Sequence, residues 1–153
     1  MIALEEKTQN PWTIEQRQII AEILNEALTL SLDAEAIIGC TTHGDKVVVH
    51  WEWGGERQHF WFLISWFRSR VEILKKEREL VKECARQNLQ VLPSSEKTRA
   101  FAILKNNRFL GVIGFNRRGW YITRCSGNGR PVYVKSLGDA VLALWMLEVA
   151  VVA

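Results

Sequence analysis

The chain has 153 residues, 48% hydrophobic and 24% charged, which fits a single compact domain, or two small lobes (1–92 and 93–153), and excludes the disordered class. Its net charge of +3 hides a segregation: nine cations and no acid lie between Lys97 and Gly138, leaving 11 positive against 17 negative charges elsewhere. Three widely spaced cysteines, Cys40, Cys84 and Cys125, exclude a disulfide framework and place the chain in a reducing cytoplasm.

The start, Met1-Ile2-Ala3-Leu4-Glu5-Glu6-Lys7, lacks the basic residues and apolar stretch of a signal peptide, so export is not expected. Thr13 followed by Gln16 is a capping-box spacing, with Pro11 and Trp12 just ahead. Ile14, Ile19, Ile20, Ile23, Leu24, Ala27 and Leu28 then recur at helical spacing and predict a helix over 13–31. Residues 33–45 read as a turn or short helical piece ending in Thr41-Thr42-His43-Gly44-Asp45.

From Lys46 to Ser65, two runs of strand formers flank Gly54-Gly55, the pair that a two-residue type I′ turn requires. That turn fixes a register: Trp53 opposite Glu56, Glu52 opposite Arg57, Trp51 opposite Gln58, His50 opposite His59, Val49 opposite Phe60 and Val48 opposite Trp61. By alternation Val47, Val49, Trp51, Phe60, Phe62 and Ile64 share a core face, and His50, Glu52, Arg57 and His59 the wetter one.

Ser69-Arg70-Val71-Glu72 is a second capping box and predicts a helix to residue 90, its charges spaced to pair along a solvated face. Gln90 to Lys97 reads as the connection between lobes. A meander follows, with strands near 98–105, 108–115, 120–125 and 131–135, and turns at Asn106-Asn107, Asn116-Arg117-Arg118-Gly119 and Ser126-Gly127-Asn128-Gly129. Ser136 with Asp139 caps a final helix to 151, apolar almost all round. At 14 residues, the apolar run 140–153 is shorter than the roughly 20 that a bilayer span needs, so no membrane role is expected. The expected fold class is α+β, an antiparallel β-hairpin and β-meander packed with three helices, in the order α-β-β-α-β-β-β-β-α.

Catalytic patterns do not assemble. Gly114 to Gly119 has phosphate-loop spacing, but Trp120-Tyr121 stands where the loop needs Lys and Ser or Thr. Gly127-Asn128-Gly129 begins a dinucleotide fingerprint that Pro131 and Val132 break. Ser126 and Cys125 have no His in the second half to activate them, since all three histidines fall between 43 and 59. Cys40, His43, His50 and His59 form a soft-ligand set in which the hairpin register brings His50 and His59 together, but their spacing matches no zinc pattern.

The basic meander is different, because cations, rings and turns coincide there. Arg99, Lys105, Arg108, Arg117, Arg118, Arg124, Arg130 and Lys135 are interspersed with Trp120, Tyr121 and other aromatics. Flat rings for bases bordered by cations for phosphates are a design for nucleic-acid binding. The expectation is therefore a small cytoplasmic accessory protein, without cofactor or catalytic residues, that contacts the backbone phosphates of nucleic acid of either type, or an acidic protein, through these ten residues of the basic meander. The alternative is an interaction module or obligate homo-oligomer using exposed Trp and the apolar C-terminal helix. A metal-dependent enzyme around His50 and His59 comes third.

Overall fold

Helix α1 (Ile14–Leu28) begins at the expected cap. The Thr13 hydroxyl accepts from the Gln16 backbone N–H at 3.1 Å, and the Gln16 side chain accepts from the Thr13 N–H at 2.9 Å, so two donors that the first turn would orphan are satisfied. Thr29 ends the helix in the left-handed conformation (φ 55°). The Asn25 side chain then ties down the exit, donating to the Leu32 carbonyl and accepting from its N–H, both at 2.8 Å. The computed structural model describes residues 12–92, 99–124 and 130–152, with 147–152 described by backbone alone. Pro11, most of the 90–97 connection including Lys97, Cys125 and the turn at 126–129 therefore lie outside the described residues.

The order is α-β-β-β-α-β-β-β-β-β-α, an α+β fold with two antiparallel sheets of three and five strands. The chain forms two compact units, Met1–Lys75 and Lys76–Ala153. The division lies inside the second helix, earlier than the 90–97 connection.

The first unit holds β1 (Ile37–His43), β2 (Lys46–Trp53) and β3 (Glu56–Leu63) in that spatial order. Strand β1 replaces the turn or helical piece expected over 33–45, of which only a 3-10 turn at Ala34–Ala36 is present. The pairing register shifts between Ile37 and Gly39, and such a bulge breaks the alternation by which a strand is recognised. The β2–β3 register is as expected at every pair from Val48–Trp61 to Trp53–Glu56, and Gly54 and Gly55 both take positive φ, 61° and 80°. Val47, Val49, Trp51 and Phe62 are buried against Ile19, Ile20, Ile23 and Leu24 of α1. Phe60 shares that face in register but is 41% exposed, because β3 is the sheet's edge.

Helix α2 (Ile64–Arg86) follows β3 without a loop, so Ser69 lies inside the helix and not at its N-cap. The Ile64 N–H donates to the Asp45 carbonyl at 2.9 Å. Phe67, Val71 and Leu74 enter the first unit's core; their three- and four-residue spacing is helical, but Ser65-Trp66-Phe67 also continues a strand pattern, which hides the start. Of the expected charge pairs, Arg86 and Glu83 meet at 2.9 Å.

In the second unit β4 (Gln90–Val91), β5 (Ala100–Lys105), β6 (Arg108–Asn116), β7 (Gly119–Arg124) and β8 (Val132–Tyr133) lie side by side in chain order, a meander with one short strand, β4, beyond expectation. Asn106 and Asn107 both take positive φ, 50° and 65°, at the β5–β6 turn. Phe101, Ile103, Ile113, Phe115, Trp120 and Ile122 form the buried inner face with Leu80 and Cys84 of α2.

Helix α3 (Leu137–Val152) packs on β6 and β7 of that sheet. The Ser136 hydroxyl caps it by accepting from the Asp139 N–H at 3.1 Å. Only one side is covered: Ala140, Val141 and Leu144 are buried, whereas Leu142 and Met146 are exposed. Trp145 is half-buried, with the Lys105 ammonium 6.0 Å from its ring. No described helix is long and apolar enough to cross a membrane.

Candidate nucleic-acid interface

The pairing of β5, β6 and β7 decides which side chains share a face. Ala100 pairs with Gly114 and Gly114 with Tyr121; Ala102 pairs with Val112 and Val112 with Thr123. These residues and Asn116 therefore form the outer face, while both helices of the unit pack on the inner one. On this outer face Ala100, Ala102, Val112, Tyr121 and Thr123 are each half-exposed.

Tyr121 dominates that surface. Its ring lies across Gly114, where any Cβ would collide with the phenol, so the glycine lets the ring lie close against the sheet. Tyr133, opposite Tyr121 on β8, adds a second ring with centroids 5.7 Å apart. The Asn116 amide donates to the Tyr133 hydroxyl at 2.8 Å, and its Oδ1 accepts from the Arg118 N–H at 2.8 Å, so one side chain joins the β6–β7 turn to β8. The Arg118 guanidinium lies 5.2 Å from the Tyr133 ring centroid. The Asn116 hydrogen bond, with help from Arg118, holds the Tyr133 phenol below its ordinary pKa despite some opposing desolvation.

The expected site residues divide between the two ends of this sheet. Arg117 and Arg118 are exposed at the β6–β7 tip, and Arg99 and Lys135 lie at the same end. Arg99 supplies the carbonyl that accepts from the Phe115 N–H at 3.0 Å, and Val134 donates to the Trp120 carbonyl at 3.1 Å, which fixes the levels of both segments. At the other end Lys105 and Arg108 flank the β5–β6 turn, Arg124 ends β7 and Arg130 leads into β8, but Lys105, over the Trp145 ring of α3, and Arg124, next to the outward Thr123, take the helix-covered side. Along the strands the two groups are five (Arg130 to Lys135) to nine (Arg108 to Arg117) residue steps apart, about 17 to 30 Å.

Trp120 does not belong with the exposed rings. It is 8% exposed, packed edge-on to Phe115 at 5.6 Å on the inner face. As Tyr121's neighbour in the same strand it must point the other way, so its ring is closed to a base. Two cations cover this inner pair: Lys76 of α2 lies 5.3 Å from the Trp120 ring and 5.9 Å from Phe115, and Arg99 lies 5.1 Å from Phe115. Lys76 was missed among the alternating charges of α2. Asn116 and Gly114 were missed as well, because their roles depend on which strand lies beside them.

The first unit's histidines meet on the outer face of its sheet. His50 and His59 are 6.2 Å apart between ring centroids, and the Thr41 hydroxyl lies 3.2 Å from His50 Nε2 and 3.3 Å from His43 Nε2. Among the described residues no group of three or more His, Cys, Asp or Glu is placed to hold a metal ion. Burial pushes the Cys40 and Cys84 thiols up to about 12, the opposite of the lowered pKa that activates a nucleophilic cysteine. Comparison of the chain with protein-family models, with curated proteins and with solved structures finds no match.

Proposed function

We propose that this chain is a small cytoplasmic accessory protein, not an enzyme, that binds single-stranded nucleic acid on the outer face of its five-stranded sheet. The observation that carries this reading is the Tyr121 ring laid on Gly114, beside Tyr133 and the Arg117-Arg118 tip. A ring held flat on a sheet offers a surface for base stacking, and the guanidinium groups of the adjoining tip can hold phosphates beside the stacked bases. A duplex keeps its bases inside and has no use for the rings, so the two tyrosines favour a single strand. The buried, protonated thiols of Cys40 and Cys84 are compatible with a reducing compartment.

The test is binding to single- and double-stranded DNA and RNA of matched length at low salt. The expected result is tighter binding to a single strand, weakened by about 1–3 kcal/mol in Tyr121→Ala. Equal loss on duplex and single strand would remove the stacking role. Binding to an acidic protein, with none to any nucleic acid, would transfer the basic surface to that partner.

The alternative, a protein-interaction module or homo-oligomer, draws on the exposed Trp53, Trp61 and Trp66 of the first unit and on Leu142 and Met146 of α3.

A further inference from the structure

Strand β3 is eight residues long and forms one edge of the first unit's sheet, with no described strand on its outer side. Trp53 and Glu56 close a two-residue turn and so exchange backbone hydrogen bonds; by alternation Gln58, Phe60 and Phe62 also bond toward β2. The N–H and C=O groups of Arg57, His59 and Trp61 therefore point away from the sheet. Side chains along this edge are apolar on both faces, with Phe60 41%, Trp61 48% and Leu63 49% exposed. A long, apolar edge of this kind is a template for another strand, and only Glu56 and Arg57 at its start place charge on it.

We propose that the strand that covers this edge is β3 of a second copy, paired antiparallel about a two-fold axis at His59. The edge is complementary to itself in that register. Arg57 of each copy comes opposite Trp61 of the other, giving two guanidinium–indole pairs, while His59 faces its own counterpart. An isologous contact has to match itself in this way. The Trp61 ring already holds one cation of its own chain, the Lys46 ammonium at 4.4 Å. On the opposite face Phe60 of each copy lies against Gln58 of the other, covering apolar surface that β3 leaves open. Two three-stranded sheets become one of six strands, and neither copy keeps a free β3 edge. The contact uses residues of the first unit, whereas the proposed nucleic-acid surface uses residues of the second.

Light scattering over a concentration series should show the native chain as a dimer that His59→Pro converts to a monomer. Proline removes only the outward N–H at that position, and edge strands tolerate it there, so the circular dichroism spectrum should persist. As an independent check, His59→Cys in a Cys125→Ser background should form an intermolecular disulfide under mild oxidation. Directly opposed residues sit about 5.5 Å apart at Cα, within disulfide reach, and the buried Cys40 and Cys84 should not compete. A native chain that stays monomeric, a His59→Pro protein that stays dimeric, or a crosslink at Phe60→Cys in place of His59→Cys would each overturn the proposal.

Discussion

At the residue scale Trp120 and Tyr121 share a strand but face opposite sides of the sheet, and their alanine variants should separate stability from binding. Trp120→Ala removes an indole packed on Phe115 and should cost about 3–5 kcal/mol in urea unfolding. Tyr121→Ala removes a half-exposed ring and should leave the unfolding midpoint near native while single-strand affinity falls. A large stability loss in Tyr121→Ala would show that the ring serves packing. Gly114→Val supports the same distinction, because its side chain must displace the phenol from the sheet. The thiols make a separate prediction about pH. Their folded pKa of about 12 exceeds the ordinary 9.0, so the stability they contribute is complete below about pH 9 and is lost as pH rises toward 12, by roughly 1.4 kcal/mol per unit for each thiol. Urea midpoints should therefore fall with alkalinity, less steeply in Cys40→Ala; equal slopes would contradict the burial account.

The elements differ in how far they can be read from the chain, for physical reasons. Gly54-Gly55 fixes the β2–β3 register, since both positions need positive φ and a two-residue turn allows one pairing. Gly55→Val should accordingly lower the melting temperature by an amount that Glu56→Gln, one residue on, does not approach; equal effects would show that the turn tolerates a β-branched residue. Strand β1 was illegible because its bulge between Ile37 and Gly39 breaks the period of two. The start of α2 was hidden because β3 passes into it at Ile64 without turn residues. For the candidate site, the cations and the tip at Arg117-Arg118 could be read directly. The choice of Tyr121 over Trp120 could not, because alternation gives opposite faces but not which face the helices cover.

On the scale of the whole molecule the charge pattern separates binding from folding. The exposed Arg117 and Arg118 lie on a turn, where reversal of charge should change stability by less than about 0.5 kcal/mol. If they hold phosphates, each contact releases counterions, and log K should fall against log salt by about 0.7 per contact on a single strand. The decisive measurement is this salt slope, for a single-stranded oligonucleotide, in the native chain and in the Arg117→Glu, Arg118→Glu double variant. The account predicts measurable binding by the native chain at low salt, and in the variant weaker binding with a slope shallower by about 1.4. No binding by the native chain, or an unchanged slope in the variant, would contradict it.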